Sequence, residues 1–265
     1  RTKSGASAKV YNFAEATEEV RGETIPESIM FIEIEKVKDP KKLKELEEIC
    51  LDILLDVRLA VSDWRSILSK VDETISALAK YPPPITPDDV EETRGFIKWL
   101  VDDNFIFLGY REYMFEGDPL TANFKAVRGS GMGILQNPGR FILRGPKGLT
   151  SITREIREFL IQPDPIIITK GNVKTQVHRP VHLDYIGVKI FNPKGVCIGE
   201  RRFVGLFTSS SYSKNPLEIP LIRRKVENIQ RKALFSPGSH ASKSLSHILE
   251  TFLRDELFQL SEEDL

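Results

Sequence analysis

The segment from Gln176 to Tyr212 constrains the fold more than any other part of this chain. Val181, Leu183, Tyr185 and Gly187 fall on one strand face, and His182, Asp184, Ile186, Val188 and Ile190 on the other. Asn192-Pro193-Lys194-Gly195 then makes a turn, because Pro193 presets φ and Gly195 permits a positive one. A second apolar run follows from Val196 to Thr208. Two long strands joined in this way predict a β-hairpin. A hairpin is not stable alone, so it must be the centre of a larger sheet covered by helices.

Upstream the period changes. Leu43, Leu46, Cys50, Ile53, Val57, Ala60, Trp64, Ile67 and Val71 follow steps of three and four, and Ile75 and Leu78 continue them after one slip. This predicts an apolar helical stripe over Pro40–Leu78, with a break near Ser62-Asp63 as an alternative. Its partner is its own domain, its own second half or another subunit. Leu46, Cys50, Ile53, Val57 and Trp64 are the candidate seam, and Cys50 reads as a small core residue. The prolines of Tyr81-Pro82-Pro83-Pro84-Ile85 end the helix and form a stiff linker.

Thr86, Pro87, Asp88 and Asp89 start a second helix, with Phe96, Ile97, Leu100 and Val101 on its buried side. Strands are expected at Phe105–Phe115, Phe124–Val127, Met132–Leu135, Phe141–Arg144 and Pro165–Thr169, with a short helix at Ile152–Ile161. After the hairpin, Asn215-Pro216-Leu217-Glu218 resembles a capping box opening a helix. Ile222, Val226, Ile229 and Ala233 line its buried side. Ser236-Pro237-Gly238 breaks it, and Leu245, Ile248, Leu249 and Phe252 mark another helix. At the start of the chain, Lys9–Phe13 and Ile29–Val37 are strand candidates. The fold class is therefore α+β, with a mainly antiparallel sheet and flanking helices.

Lys+Arg and Asp+Glu are both 38, so the formal net charge is zero. A nucleic-acid binder usually carries a basic excess, so no nucleic-acid partner is expected. No apolar run is long enough to span a membrane, and no signal peptide is expected. The two cysteines, Cys50 and Cys197, form no C-x-x-C pair, and a reducing cytoplasm is the simplest setting.

Gly129-Ser130-Gly131-Met132-Gly133 approaches a dinucleotide fingerprint, but Ile134 stands where the third glycine belongs and the run continues β-like. It reads as a strand–turn–strand, and no cofactor site is expected here. His178 and His182 are about 13 Å apart on a strand, too far for one metal. No metal and no catalytic residue are expected. His178, Arg179, His182, Asp184, Tyr185, Arg201 and Ser209 are the candidates for a ligand contact or an interface. Ser209-Ser210-Ser211 reads as a loop leading to the Asn215 cap, and Arg223-Arg224-Lys225 as a solvated helix face.

Three stretches carry a resemblance: NFIFLGYREY at Asn104 to Tyr113, HRPVHLDYIGVKIFNPKGVCIGERRFVGLFTSSSYSKNPLEIPLIRRKV from His178, and HILETFLRDELFQL at His247 to Leu260. Together they closely resemble the amino-terminal half of the large bacterial NAD-dependent glutamate dehydrogenases. The resemblance implies the strand remnant of an ACT-type domain at 1–37 and a PAS-like α+β domain at 86–212. Between them lie the long helix and linker, 38–85, and a helical connector closes the chain at 213–265. It also implies a non-catalytic regulatory and assembly segment. The parent enzyme would deaminate L-glutamate to 2-oxoglutarate with NAD, and the fragment would hold no cofactor. The partners implied are the rest of the polypeptide, further copies in a homo-oligomer, and an amino-acid or other small-molecule effector. A free-standing PAS-like sensor or protein-interaction module is the alternative.

Overall fold

A computed structural model describes residues 30–116, 123–137, 162–236 and 238–262. The chain separates into two compact units, Arg1–Glu47 and Glu48–Leu265. In the first unit, residues 30–39 adopt neither helix nor strand, and Phe31 is 90% exposed. The strand expected at 29–37 is therefore not formed over its described part. An alternating segment becomes a strand only when a neighbour pairs with it, and none of the described strands does. The other candidate, Lys9–Phe13, lies outside the described residues, as do Phe141–Arg144 and Ile152–Ile161.

Helix α1 spans Pro40–Lys80 without interruption, so the break near Ser62 does not occur. Ala60, Ile67, Val71 and Leu78 are buried along it. Helix α2, Pro87–Trp99, starts as its sequence requires: the Thr86 side chain accepts from the Asp89 N–H, and Pro87 opens the first turn. A π turn, Leu100–Asn104, follows. There Asp103 takes a φ of 57°, and buried Asn104 Nδ2 donates to the Trp99 and Asp102 carbonyls, each at 2.7 Å. This turn rotates the chain out of helical register, which leaves Val101 exposed rather than on the buried side.

Among the described residues six strands form one antiparallel sheet: β1 (Phe105–Glu116), β2 (Asn123–Ala126), β3 (Met132–Gly133), β4 (Ile166–Lys174), β5 (His182–Phe191) and β6 (Cys197–Phe207). Their order is β2-β1-β6-β5-β4, with β3 on β1. The expected hairpin is β5–β6, pairing Ile186 with Phe203 and closing through Asn192 and Gly195, whose φ is 72°. Its outer neighbour is β1, with Tyr110 opposite Phe203. A bulge between Phe107 and Gly109 shifts the register so that Phe107 and Tyr110 face the same core. Ile134 and Leu135, expected to extend β3, turn away and are buried.

Alternation gives the sheet two apolar faces. One packs Phe107, Tyr110, Ile186, Val188 and Phe203 under α1 and α2. The other gathers Leu108, Leu183, Tyr185, Val204 and Leu206 with Ile134, Leu135 and Val177.

After β6 the chain is helical. A short helix α3, Ser209–Ser213, is capped by Thr208, so the expected loop is wound. Asn215 does cap, but it opens only a 3-10 turn, Pro216–Glu218. Helix α4, Ile222–Lys232, begins after Leu221, whose φ is 68°. Ile222 and Val226 are buried, Ile229 is half-buried and Ala233 is exposed. Helix α5 spans His240–Thr251 and α6 spans Arg254–Gln259. Leu249 is buried on α5, whereas Ile248 is exposed. No described helix is long and apolar enough to cross a membrane.

Candidate functional site

The candidate ligand residues do not converge. Asp184 is buried on β5; its Oδ1 meets Lys170 Nζ at 2.5 Å and its Oδ2 accepts the Phe207 N–H at 3.0 Å. Arg179 Nη2 donates to the Phe207 carbonyl at 2.7 Å. These two side chains clamp both main-chain groups of Phe207 at the end of β6. Exposed His182 places Nδ1 3.0 Å from the Gly171 carbonyl, which ties β5 to the bulged part of β4. His178 is exposed with a φ of 71°. Ser209 is exposed at the start of α3. Among the described residues, no group of three or more His, Cys, Asp or Glu is placed to hold a metal.

Tyr185 points to the opposite sheet face, into a buried polar quartet. Its hydroxyl donates to Glu200 Oε1. Arg202 Nε meets Glu200 Oε2 at 3.0 Å, and its guanidinium lies 3.9 Å over the Tyr113 ring and 5.6 Å from the Tyr185 ring centre. Glu200 is wholly buried. Burial pushes the Tyr185 hydroxyl well up; Arg202 opposes that and Glu200 adds to it, so the phenol stays a donor. Burial also opposes the Arg202 charge, but Glu200 and the two tyrosines outweigh it. The quartet is a closed, satisfied ion pair with no nucleophile, suited to fixing the sheet rather than to catalysis. Glu200 and Arg202 carried a legible signal: their two-residue spacing aligns them with Val204 and Leu206 on a buried face.

The Gly129–Gly133 run is a turn between β2 and β3, with Gly133 opposite Gly109 of β1. Residues 134–137, directly after it, are turn and bend rather than helix. Asp63 of α1 holds this turn through the Gly133 N–H and Gln136 Nε2, both at 2.6 Å.

Arg223-Arg224-Lys225 is a partly solvated face, with Arg223 exposed, but its side chains are paired. Arg223 Nε and Nη2 reach Glu92 at 2.9 and 2.5 Å, and Arg224 Nη2 reaches Asp89 at 2.8 Å. Lys225 Nζ donates to the carbonyls of Leu257, Phe258 and Leu260 at 3.1, 2.9 and 2.6 Å. Burial would raise the Glu92 carboxyl, yet Arg223, the Leu221 N–H and Arg224 hold it below its usual value. Arg254 is buried and donates to four carbonyls, those of Leu249, Phe252, Tyr212 and Lys214. These cations lock α4, α5 and α6 to one another, to α2 and to the α3 segment. A cleft of about 720 Å³ lies among them and β4, but Asp89, Glu92, Arg224 and Lys225 on its walls are already paired. Sequence spacing carries no sign of these ties, since Glu92 and Arg223 are 131 residues apart.

The Arg201 guanidinium, on the helix-covered face, bonds Glu112 Oε1 at 3.2 Å and the Glu73 carbonyl of α1 at 3.4 Å. It lines two cavities. The seam candidates also divide from the core. Cys50, Val57 and Trp64 are exposed, the last two by 37% and 50%, and Ile53 is half-buried. Cys50 is thus no core residue. Leu46, in the first unit, is 38% exposed.

An antiparallel sheet with a helical segment locked across its end defines the chain as an α+β domain joined to a helical motif. Residues 219–265, the locked segment, match the family model described as glutamate dehydrogenase, helical motif 1. The chain is 34% identical over 244 residues to the NAD-specific glutamate dehydrogenase of Halomonas elongata, and 31% over 243 residues to that of Pseudomonas aeruginosa. Each alignment covers 90% of this chain and 15% of the relative. The Mycobacterium tuberculosis enzyme of the same name is 26% identical over 100% of this chain. Along nine-tenths of its length the chain is therefore similar to one stretch of these NAD-specific glutamate dehydrogenases. It spans about 15% of the length of the curated relatives it matches.

Proposed function

We propose that this chain is a non-catalytic regulatory and assembly segment from the amino-terminal half of a large NAD-specific glutamate dehydrogenase. The observation that carries this reading is the match itself: nine-tenths of the chain aligns with 15% of each of two relatives. NAD and the deamination of L-glutamate to 2-oxoglutarate then belong to the parent enzyme, in a region outside this chain, in the cytoplasm. The strand path β2-β1-β6-β5-β4, in which the first and last strands are central neighbours, supports a PAS-like sheet. Helices α4 to α6, tied to α2 and α3 by paired cations and stacked on β6 through Phe258 and Phe207, form a stiff connector toward the rest of the polypeptide. The exposed apolar stretch of α1 supports assembly with a second copy, as a homo-oligomer.

Deleting this segment from the parent enzyme tests the reading. The expected result is altered oligomer mass, or altered response to effectors, with NAD binding retained. Unchanged mass and an unchanged rate law would overturn it, as would NADH production from glutamate by this chain alone.

A further inference from the structure

Two cavities meet between the carboxy-terminal third of α1 and the β5–β6 turn. The inner one encloses about 270 Å³ and the outer about 470 Å³, and Ala77, Tyr81 and Arg201 line both. The inner chamber is walled mainly by Leu78, Tyr81, Ile190, Phe191 and Ile198, Lys189 and Thr74 also line it, and no acidic described residue does. Arg201 stands at the junction, where its Nε and Nη1 are held by Glu112 and the Glu73 carbonyl. Its Nη2 has no hydrogen bond to a described residue. Glu112 is itself fixed by the Tyr110 hydroxyl at 2.5 Å, so the guanidinium is oriented before any ligand arrives. Lys80 lines the outer cavity, 5.1 Å over the Tyr81 ring.

We propose that these cavities form a binding site for a small monocarboxylate with an apolar tail. The tail fills the inner chamber and the carboxylate meets the open guanidinium edge of Arg201, with Lys80 adding positive charge from the rim. The chamber is smaller than the ~300–1,000 Å³ that drug-sized molecules fill, which restricts the tail to a short aliphatic or single-ring group. Asp72 and Glu73 line the outer cavity and disfavour a multiply charged anion such as phosphate. A ligand here touches α1 and both hairpin strands at once, so its binding is linked to how firmly α1 seats on the sheet. The site rests on this chain's own geometry; it would supply the regulatory reading with a ligand class, but it does not depend on the parent's activity.

Titration of the chain with hexanoate, followed by calorimetry and by amide chemical shifts, tests the site. Hexanoate should saturate at high-micromolar to millimolar concentration and shift the Ile190 and Ile198 amides. Hexanol should bind about 10-fold more weakly, for want of the charged contact. Ala77→Leu, which fills the chamber and leaves every Arg201 bond in place, should abolish binding with unchanged circular dichroism. Arg201→Gln should reduce hexanoate to the affinity of hexanol. The site is refuted if hexanoate does not saturate at millimolar concentration or hexanol binds equally well. It is also refuted if Ala77→Leu binds as the wild type does, or if inorganic phosphate displaces hexanoate at equal concentration.

Discussion

Gly129 and Gly133 stand in one glycine-rich run and should respond differently to alanine. Both have positive φ, 78° and 57°, a conformation that costs an L side chain roughly 1–2 kcal/mol. A Cβ on Gly129 meets nothing within 4 Å, whereas one on Gly133 lies 2.1 Å from the Leu108 carbonyl oxygen. Gly129→Ala should therefore cost about 1 kcal/mol, and Gly133→Ala a further ~1–3 kcal/mol from overpacking, measured by urea unfolding. Equal costs would mean that Gly133 does not pair closely with β1. Lys189 gives a pH-dependent counterpart. It is buried on β5, its Nζ donates to the Gln162 carbonyl, and burial lowers its pKa to about 8 from 10.5, against the opposing pull of Cys197, Asp164 and Glu200. Between those values the unfolded chain binds more protons than the folded one, so Lys189 makes stability rise with pH from about 8 to 10.5. Below pH 8 its buried charge is a constant penalty. Lys189→Met should raise stability at neutral pH and flatten that rise. Cys197, pushed up by burial, contributes with the opposite sign, so the quantity to measure is the difference between variant and wild type. A difference independent of pH would show that Lys189 titrates normally.

At the level of elements, the sequence predicted what local physics decides. Strand β5 alternates, Asn192 to Gly195 can only turn, and Thr86 can only cap, so those elements formed where expected. Periodicity states which residues share a face, but not whether anything covers it. The rhythm of α1 runs along the whole helix with one slip, yet Ile67, Val71 and Leu78 are buried while Val57 and Trp64 are exposed. The same limit misplaced Cys50, and it hid the pairing of Arg223 and Arg224, whose partners lie in a distant helix. A continuous α1 leaves no fold-back of its own to cover the exposed stretch. Replacing Ile53 and Val57 with Asp should then leave circular dichroism intact and lower the mass seen by light scattering. The added charges would cost on the order of a few kcal/mol in an apolar seam between subunits. Loss of folded structure would place the seam inside one chain. Unchanged mass together with unchanged thermal stability would mean that this stretch faces water in the assembly.

For the whole molecule, the question is whether the carboxy-terminal helices and the sheet domain behave as one body. Phe258 of α6 stacks on Phe207 of β6, with centroids 5.4 Å apart at 16°, and meets the edge of Phe96 of α2 at 5.1 Å. It also lies 6.4 Å from the Trp99 ring, so four aromatic side chains from three elements share one contact. The cations act around this contact. Lys225 holds the last carbonyls of α6, which lack intrahelical partners. Glu92 receives both Arg223 and the Leu221 N–H at 2.8 Å, fixing the entry to α4. Phe258→Ala removes the ring and should cost about 3–5 kcal/mol. Glu92→Gln keeps the shape but loses the charged bonds, at about 1–3 kcal/mol. The Glu92 carboxyl is held below its usual value, so its contribution is present above the unfolded pKa and disappears as pH falls through the folded one. The two substitutions lie on one interface and should not be additive. A coupling of roughly 0.5–3 kcal/mol is expected in a double-mutant cycle at neutral pH, shrinking as the pH is lowered. Hydrogen exchange should show the same coupling, with either single variant releasing amides in α5 and α6 before those of β5 and β6. Additive costs, with exchange in α5 and α6 unchanged, would mean that the helices are not locked to the sheet and cannot act as a stiff connector.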